Sequence, residues 1–291
     1  MTTEFTNNEN ATQLNLLPEE QATSNEDDQI NQDDGNQARS DAEDHGDTAE
    51  AEVVVPNPFT RADAGRLVDV DQISFTIPDT FTYIADGMGV GDGVFTPFRS
   101  LETVIIPKSI TSIGARSFQL CSALESINLP DSITSIEWST FASCSSLSTI
   151  TIPDTVTHIA RRSFQECAAL ATINLPDSIT SIGESAFYST ALESINLPDS
   201  ITSIELGTFI FCRALSTITV PDSVTHIEGH AFYGCSSLKS ITIPDAALNN
   251  PNYGMYNGSY YDPLDDCTEL IAIAQTLNIQ HDCQRVFTSS Q

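Results

Sequence analysis

The stretch Leu124-Glu-Ser-Ile127-Asn-Leu129-Pro130-Asp-Ser-Ile133-Thr-Ser-Ile136, followed by Phe141, Cys144 and Leu147, decides how this chain folds. Leu147 opens a second copy of the same text. Apolar and polar residues alternate up to Pro130, so Ile127 and Leu129 share one side of a short strand. Pro130 ends the strand, because it has no N–H to extend a ladder. Ile133 and Ile136 carry two more apolar side chains on a second extended segment. The Phe-x-x-Cys stretch that follows is too short for a long helix and predicts one helical or 3-10 turn.

Outward from this copy the pattern runs along most of the chain. Pro recurs at 78, 107, 130, 153, 176, 198, 221 and 244, at intervals of 22 or 23 residues after a first interval of 29. Leu recurs at 101, 124, 147, 170, 192, 215 and 238, and Phe at 95, 118, 141, 164, 187, 209 and 232. A fixed period in the twenties with apolar residues at set offsets marks a leucine-rich solenoid. A single rung cannot bury its own apolar face, so neighbours must stack. At a strand spacing of about 4.7–4.9 Å each residue class becomes a column. The fold class expected is therefore a repeat solenoid, a right-handed coil of rungs of about 23 residues. Each rung is mostly short parallel strands and turns, with one short helical or 3-10 turn. Seven rungs fill residues 78–243, after an N-terminal cap and first strand over 59–77. Residues 244–291 form a C-terminal cap with a Tyr-rich insertion and a degenerate last rung. Residues 127–175 match 195–243 at an offset of 68, three rungs, as an internal duplication would leave them. A rung number that can change this way weighs against one built catalytic pocket.

Charge separates the remainder. The chain carries 11 basic and 40 acidic residues, for a net charge of −29. Residues 1–55 alone hold 15 acidic residues and one basic residue, Arg39. Residues 1–58 are too polar to bury the area that would offset chain entropy, so they read as an acidic disordered tail. The acidity speaks against a nucleic-acid partner, which calls for Lys and Arg on the binding face. It also speaks against an anionic membrane surface, and no apolar run reaches the length of a membrane span. The N-terminal residues lack the basic and apolar regions of a secretory signal, so an intracellular location is expected. A monomer is expected as well.

The candidate sites are columns and insertions. Cys121, Cys144, Cys167, Cys212 and Cys235 form a column best read as small buried hydrophobes, since neither disulfide geometry nor zinc-ligand spacing suits parallel stacked thiols. The Asp column after the Pro residues, Asp79 and Asp131 to Asp245 with Lys108 substituting once, reads as turn residues accepting local N–H groups. No nucleophile–base pair repeats a catalytic spacing, so catalytic, cofactor and metal residues are all expected to be none. The outward strand positions give a polar face that includes Thr149, Thr151, Thr172, Asn174, Thr217 and Thr219, a candidate partner-binding surface. Asp86 to Gly93 lengthens the first rung and reads as a flexible loop, since neither a Lys-Ser/Thr pair nor a helix follows its glycines. The insertion from Ala246 to Asp262 holds Tyr253, Tyr256, Tyr260 and Tyr261 among Asn, Gly and Ser. That mixture serves a binding loop, and it equally serves a cover over the open end of the coil.

The runs Asp199-Ser-Ile-Thr-Ser-Ile204 and Ala231-Phe-Tyr-Gly-Cys-Ser-Ser-Leu238-Lys-Ser-Ile-Thr-Ile-Pro244 resemble the BspA-like leucine-rich repeat family over residues 75–275. The resemblance implies protein or surface binding, often adhesion. The function expected is a noncatalytic protein-interaction scaffold with an unidentified protein partner and no cofactor. A surface adhesin-like binding protein is one alternative. A binder of ice or crystal surfaces through the Thr/Ser/Asn face is another.

Overall fold

The structure is a computed structural model and describes residues 56–270. The acidic tail up to residue 55, Cys283 and the end of the last rung beyond Leu270 lie outside the described residues.

Two columns of parallel strands run along the coil. The first column stacks Ser74–Thr76, Thr103–Ile105, Ser126–Asn128 and Thr149–Thr151 in one sheet. A single bridge from Thr151 to Asn174 continues it. The column resumes as Ser194–Asn196, Thr217–Thr219 and Ser240–Thr242. The central residue of each strand points inward and is buried, from Phe75 through Val104, Ile127, Ile150, Ile195, Ile218 and Ile241. The second column is built from the Ile-Thr-Ser-Ile or Val-Thr-His-Ile segments, such as Ser135–Ile136, His158–Ile159 and Ser181–Ile182. Between the columns a tight turn closes with the Ile133 N–H donating to the Pro130 carbonyl at 3.3 Å, and the same bond recurs in each rung. The Asp carboxylates at these turns are exposed and accept no hydrogen bond there. At Ser132, Ser178 and Ser200 the neighbouring hydroxyl makes the link instead, as Ser178 Oγ does in donating to the Val156 carbonyl of the preceding rung at 2.7 Å.

The third side of each rung carries the expected turn as a chain of single turns. Cys121 donates to Phe118, and Leu124 to Cys121, both at 3.1 Å and three residues back. From Phe118 to Phe232 a left-handed residue flanks each Phe of the column two positions before and two after. Arg116 and Leu120 flank Phe118, Ser139 and Ser143 flank Phe141, and Arg162 and Glu166 flank Phe164. Left-handed backbone costs an L-residue about 1–2 kcal/mol. The cost is met because the reversal lets each N–H reach the next rung, as Phe118 reaches Thr140 at 3.0 Å and Leu120 reaches Ala142 at 2.9 Å. Gly207 and Gly234 avoid the cost at their own positions, while Phe211 and His230 in the same rungs bear it.

The core is a ladder of rings. Phe118, Phe141, Phe164, Phe187, Phe209 and Phe232 stack with centroids 5.5–5.6 Å apart and planes within 18° of parallel. Phe95 and Phe59 extend the ladder to the N-terminal end. There the helix Arg61–Leu67 covers the first rung. Its capping box joins Thr60 and Asp63, whose carboxyl is lowered below its ordinary value mainly by the Thr60 hydroxyl bond. Pro58–Phe59 pairs in parallel with Tyr83–Ile84, so Pro58 already belongs to the second strand column. The loop 86–93 is exposed at Met88 and Val90 yet tethered at its base, with the Gly87 N–H on Ala115 at 2.8 Å and Arg61 donating to the Gly91 carbonyl at 2.8 Å.

Candidate binding face and terminal hairpin

The outward residues of the first column are exposed, apart from the half-buried Thr103. Ser126, Thr149 and Thr172 form one line, and Asn128, Thr151 and Asn174 the next. Parallel register keeps the lines straight, since Ser126 faces Thr149 and Asn128 faces Thr151. In the later rungs Ser194, Thr217 and Ser240 align, and so do Asn196, Thr219 and Thr242. Pleating dictates this, because the residues on either side of a buried Ile must point away from the core. A shallow depression of about 190 Å³ lies on this face, bordered by Ser194, Asn196, Asp199, Thr217 and Thr219. The surface offers hydroxyl and amide groups in repeat, with Asp at its margin.

The insertion after Pro244 has a definite structure. A short helix, Asp245–Leu248, leads to a two-stranded antiparallel hairpin of Met255–Tyr256 with Ser259–Tyr260. Its turn is Asn257-Gly258, both with positive φ, at 47° and 78°. That is the turn an Asn-Gly pair favours between two strands. The pair was available as a signal for a hairpin and as a glycosylation sequon at once.

The hairpin is docked on the final rungs. The Gly254 N–H donates to Ile227 at 2.8 Å, and Asn250 Nδ2 donates to the Thr225 carbonyl at 2.7 Å. Phe232 and Gly234 find acceptors in Pro263 and Asp265, at 2.8 and 3.0 Å, which replace the rung that would otherwise follow. Tyr253 is buried against the core, Tyr256 is half-buried, and Tyr260 and Tyr261 are exposed by 50% and 39%. One of the four rings is therefore buried as a cover, Tyr261 packs on the His230 ring with centroids 4.7 Å apart while partly exposed, and Tyr260 is half exposed.

The strand face and the hairpin do not merge into one patch. The hairpin borders a groove of about 420 Å³ whose other wall is the second strand column, through Ser203, Glu205, His226 and Glu228. Burial raises the Glu228 carboxyl above its ordinary value, and the Glu205 charge adds to the effect. The Leu206 N–H, on Glu228 at 2.9 Å, works the other way. The sequence reading missed Glu205 and Glu228. Their separation of one period, which puts them in one column, is the signal that finds them.

The described cysteines are buried, and among the described residues none is joined in a disulfide. Each thiol from Cys144 to Cys235 donates to a Phe carbonyl of the preceding rung at 3.1–3.2 Å. Burial raises these thiols, Cys212 to about 11, so none is a ready nucleophile. Thr190 takes the place of Cys in the shorter rung and lies 3.3 Å from the Cys212 sulfur. Among the described residues no three His, Cys, Asp or Glu side chains converge where a metal could sit. No helix among them is long and apolar enough to cross a membrane.

Known proteins place this architecture. The description "BspA type leucine rich repeat region" matches residues 69–152, 89–213 and 139–261. No curated protein matches the chain. Among solved structures, a leucine-rich repeat protein from Bacteroides ovatus is 28% identical with a TM-score of 0.55. The match covers 60% of this chain and 46% of that one, so this chain spans about half of that relative's length. The leucine-rich repeat protein of T. pallidum is 22% identical with a TM-score of 0.52, over 68% of this chain and 87% of that one. A further similar chain is named a leucine rich cell surface protein of Faecalibacterium prausnitzii. It is 22% identical with a TM-score of 0.29, over 74% of this chain and 81% of that one. The match to the BspA-type repeat, a family generally associated with protein interaction and surface adhesion, overturns the expected intracellular location. That expectation rested only on the residues at the start of the sequence, which do not decide where a chain goes. A leucine-rich repeat solenoid is a class of fold not associated with catalysis. With the repeat description covering well over half of its length, the chain belongs to the BspA-type leucine-rich repeat family.

Proposed function

We propose that this protein is a noncatalytic, adhesin-like binding protein of an outer surface, which holds a protein partner on the first strand column. The observation that carries this reading is the unbroken exposure of Thr149, Thr151, Thr172, Asn174, Thr217 and Thr219 over a fully buried row of Ile. Hydroxyl and amide groups in fixed register bond to a polypeptide without desolvating a charge, so binding loses little to burial. Repetition adds area without new design, which suits a partner that is extended or itself repetitive. Tyr260 and Tyr261 on the hairpin supply a second contact of amphipathic rings, whose stems are already ordered by the docked backbone.

The test is adhesion of beads carrying the full chain to purified extracellular proteins immobilised on a plate. Substituting Thr149, Thr172 and Thr217 together by Lys places three charges on the face and leaves the Ile row intact. Detachment by this variant at unchanged melting temperature supports the strand face. Detachment only by Tyr260→Ala with Tyr261→Ala moves the site to the hairpin. Adhesion untouched by either variant sinks the reading.

A further inference from the structure

Trp138, the one tryptophan of the chain, lies between two arginines from neighbouring rungs. The guanidinium carbon of Arg116 is 3.8 Å from the ring centroid, and that of Arg161 is 4.3 Å from it. The Arg116 N–H donates to the Trp138 carbonyl, and the Ser139 N–H to the Arg161 carbonyl. Arg116 therefore comes from the rung before Trp138 and Arg161 from the rung after, with the indole flanked along the coil. Arg116 is only 8% exposed, and its Nε is buried without a hydrogen-bond partner, as is Nε1 of Trp138. The loop 86–93 walls it in: a Cβ at Gly93 would lie 1.9 Å from the Arg116 carbonyl oxygen, so only glycine fits there.

The charges do not balance locally. The ion pairs among the described residues are Arg61 with Asp92 and Arg66 with Asp63, so neither guanidinium of the stack has a carboxylate in reach. Two carboxylates on the adjoining backbone segments are engaged elsewhere. Asp86 accepts the Ala115 N–H at 2.7 Å, and Glu137 accepts the Ser135 hydroxyl at 2.6 Å. In a chain with 40 acidic residues and 11 basic ones, two arginines stacked on one indole gather positive charge in one place. Stacking on the indole offsets only part of the cost of burying a guanidinium with no opposite charge.

We propose that Arg116, Trp138 and Arg161 form an anion site that takes a tetrahedral oxyanion, a sulfate or phosphate group. A carboxylate presents both oxygens in one plane to a single guanidinium fork. A tetrahedral group presents oxygens in several directions, so one anion at the edge of the indole can accept from the guanidiniums on both of its sides. The indole fixes their spacing and removes their freedom before the anion arrives. None of the three residues borders the strand-face depression or the hairpin groove, so the inference stands apart from the function proposed above.

Trp138 itself reports on the site. Its emission in the full chain is followed while sodium sulfate or sodium phosphate is added, with chloride at matched ionic strength and glutamate as the carboxylate probe. A saturable change with sulfate, phosphate or both, absent with chloride and glutamate, is expected, and the stronger of the two identifies the ester. Arg161 is exposed, so Arg161→Gln removes one fork without emptying the core. It should weaken apparent affinity at least about tenfold. Arg161→Lys keeps the charge but not the planar fork and should weaken it as well. No saturable change with either oxyanion, an equal response to glutamate, or undiminished affinity in both Arg161 variants would overturn the proposal.

Discussion

Phe164 and Thr172 test the inward and outward phase at the scale of single residues. Phe164 is fully buried between the rings of Phe141 and Phe187, and removing it leaves a gap that two stacked neighbours cannot close. Phe164→Ala is expected to destabilise the chain by about 3–5 kcal/mol in denaturant unfolding. Thr172→Ala, on the exposed face, should change stability by about 0.5 kcal/mol or less. Comparable losses at the two sites would mean that the face is not solvent-exposed. Glu228 gives the pH dependence. Its carboxyl is held above the ordinary 4.5 by burial, with Glu205 adding to the effect, so the folded chain holds this proton more tightly than the unfolded one. The stability it contributes is present below 4.5 and is lost as pH rises through the raised folded value. Glu228→Gln keeps an oxygen for the Leu206 N–H and carries no charge. It should melt higher than the parent at neutral pH, and the two curves should converge below about pH 4. A difference independent of pH would assign the effect to packing.

The elements divide into those the sequence shows openly and those it hides. The strand columns and the ring ladder were legible because each rung repeats Ile-x-Ile/Leu before Pro and Phe after, and repetition averages out local exceptions. The left-handed positions were not, because Arg116, Leu120, Ser143, Glu166, Phe211 and His230 share no chemistry and only Gly207 and Gly234 betray the backbone. The Arg116–Trp138–Arg161 stack was hidden for a related reason. Its members lie about one period apart, yet only the phase of the corner brings them face to face. The strand-face residues were placed correctly by alternation alone. The four tyrosines were not separable in the sequence, since burial of Tyr253 depends on where the hairpin backbone meets Ile227. That difference is measurable by hydrogen exchange. Tyr253→Ala should expose the amides of Phe232 and Gly234, whose acceptors Pro263 and Asp265 lie in the docked segment. Tyr260→Ala should leave those amides protected and cost about 0.5 kcal/mol or less. Equal deprotection by both would make the whole hairpin part of the cover.

At the scale of the molecule, each rung touches only its neighbours, so stability approximates a sum of rung and interface contributions. The internal match at an offset of 68 residues fits this, because three rungs added in phase leave every column continuous. One period can then be removed as well. Deleting residues 192–214 joins Ala191 to Leu215, the residue that repeats Leu192, and sets Phe187 beneath Phe232 in place of Phe209. Both strand columns stay in parallel register, the Cys column loses Cys212, and both ends keep their covers. The shortened chain is expected to fold with the same far-ultraviolet spectrum. Its melting temperature should drop modestly, since it loses one rung and one net interface out of several. Deleting residues 192–202 instead removes half a period, brings the second-column segment under a first-column strand, and puts Ser203 where Leu192 was buried and Thr208 where Leu197 was. A one-residue slip already turns a strand inside out, and a half-rung slip does so to every column above it. That variant should lose the cooperative transition. If both deletions behaved alike, the columns would not be the unit of stability, and the nearest-neighbour description of this coil would be wrong.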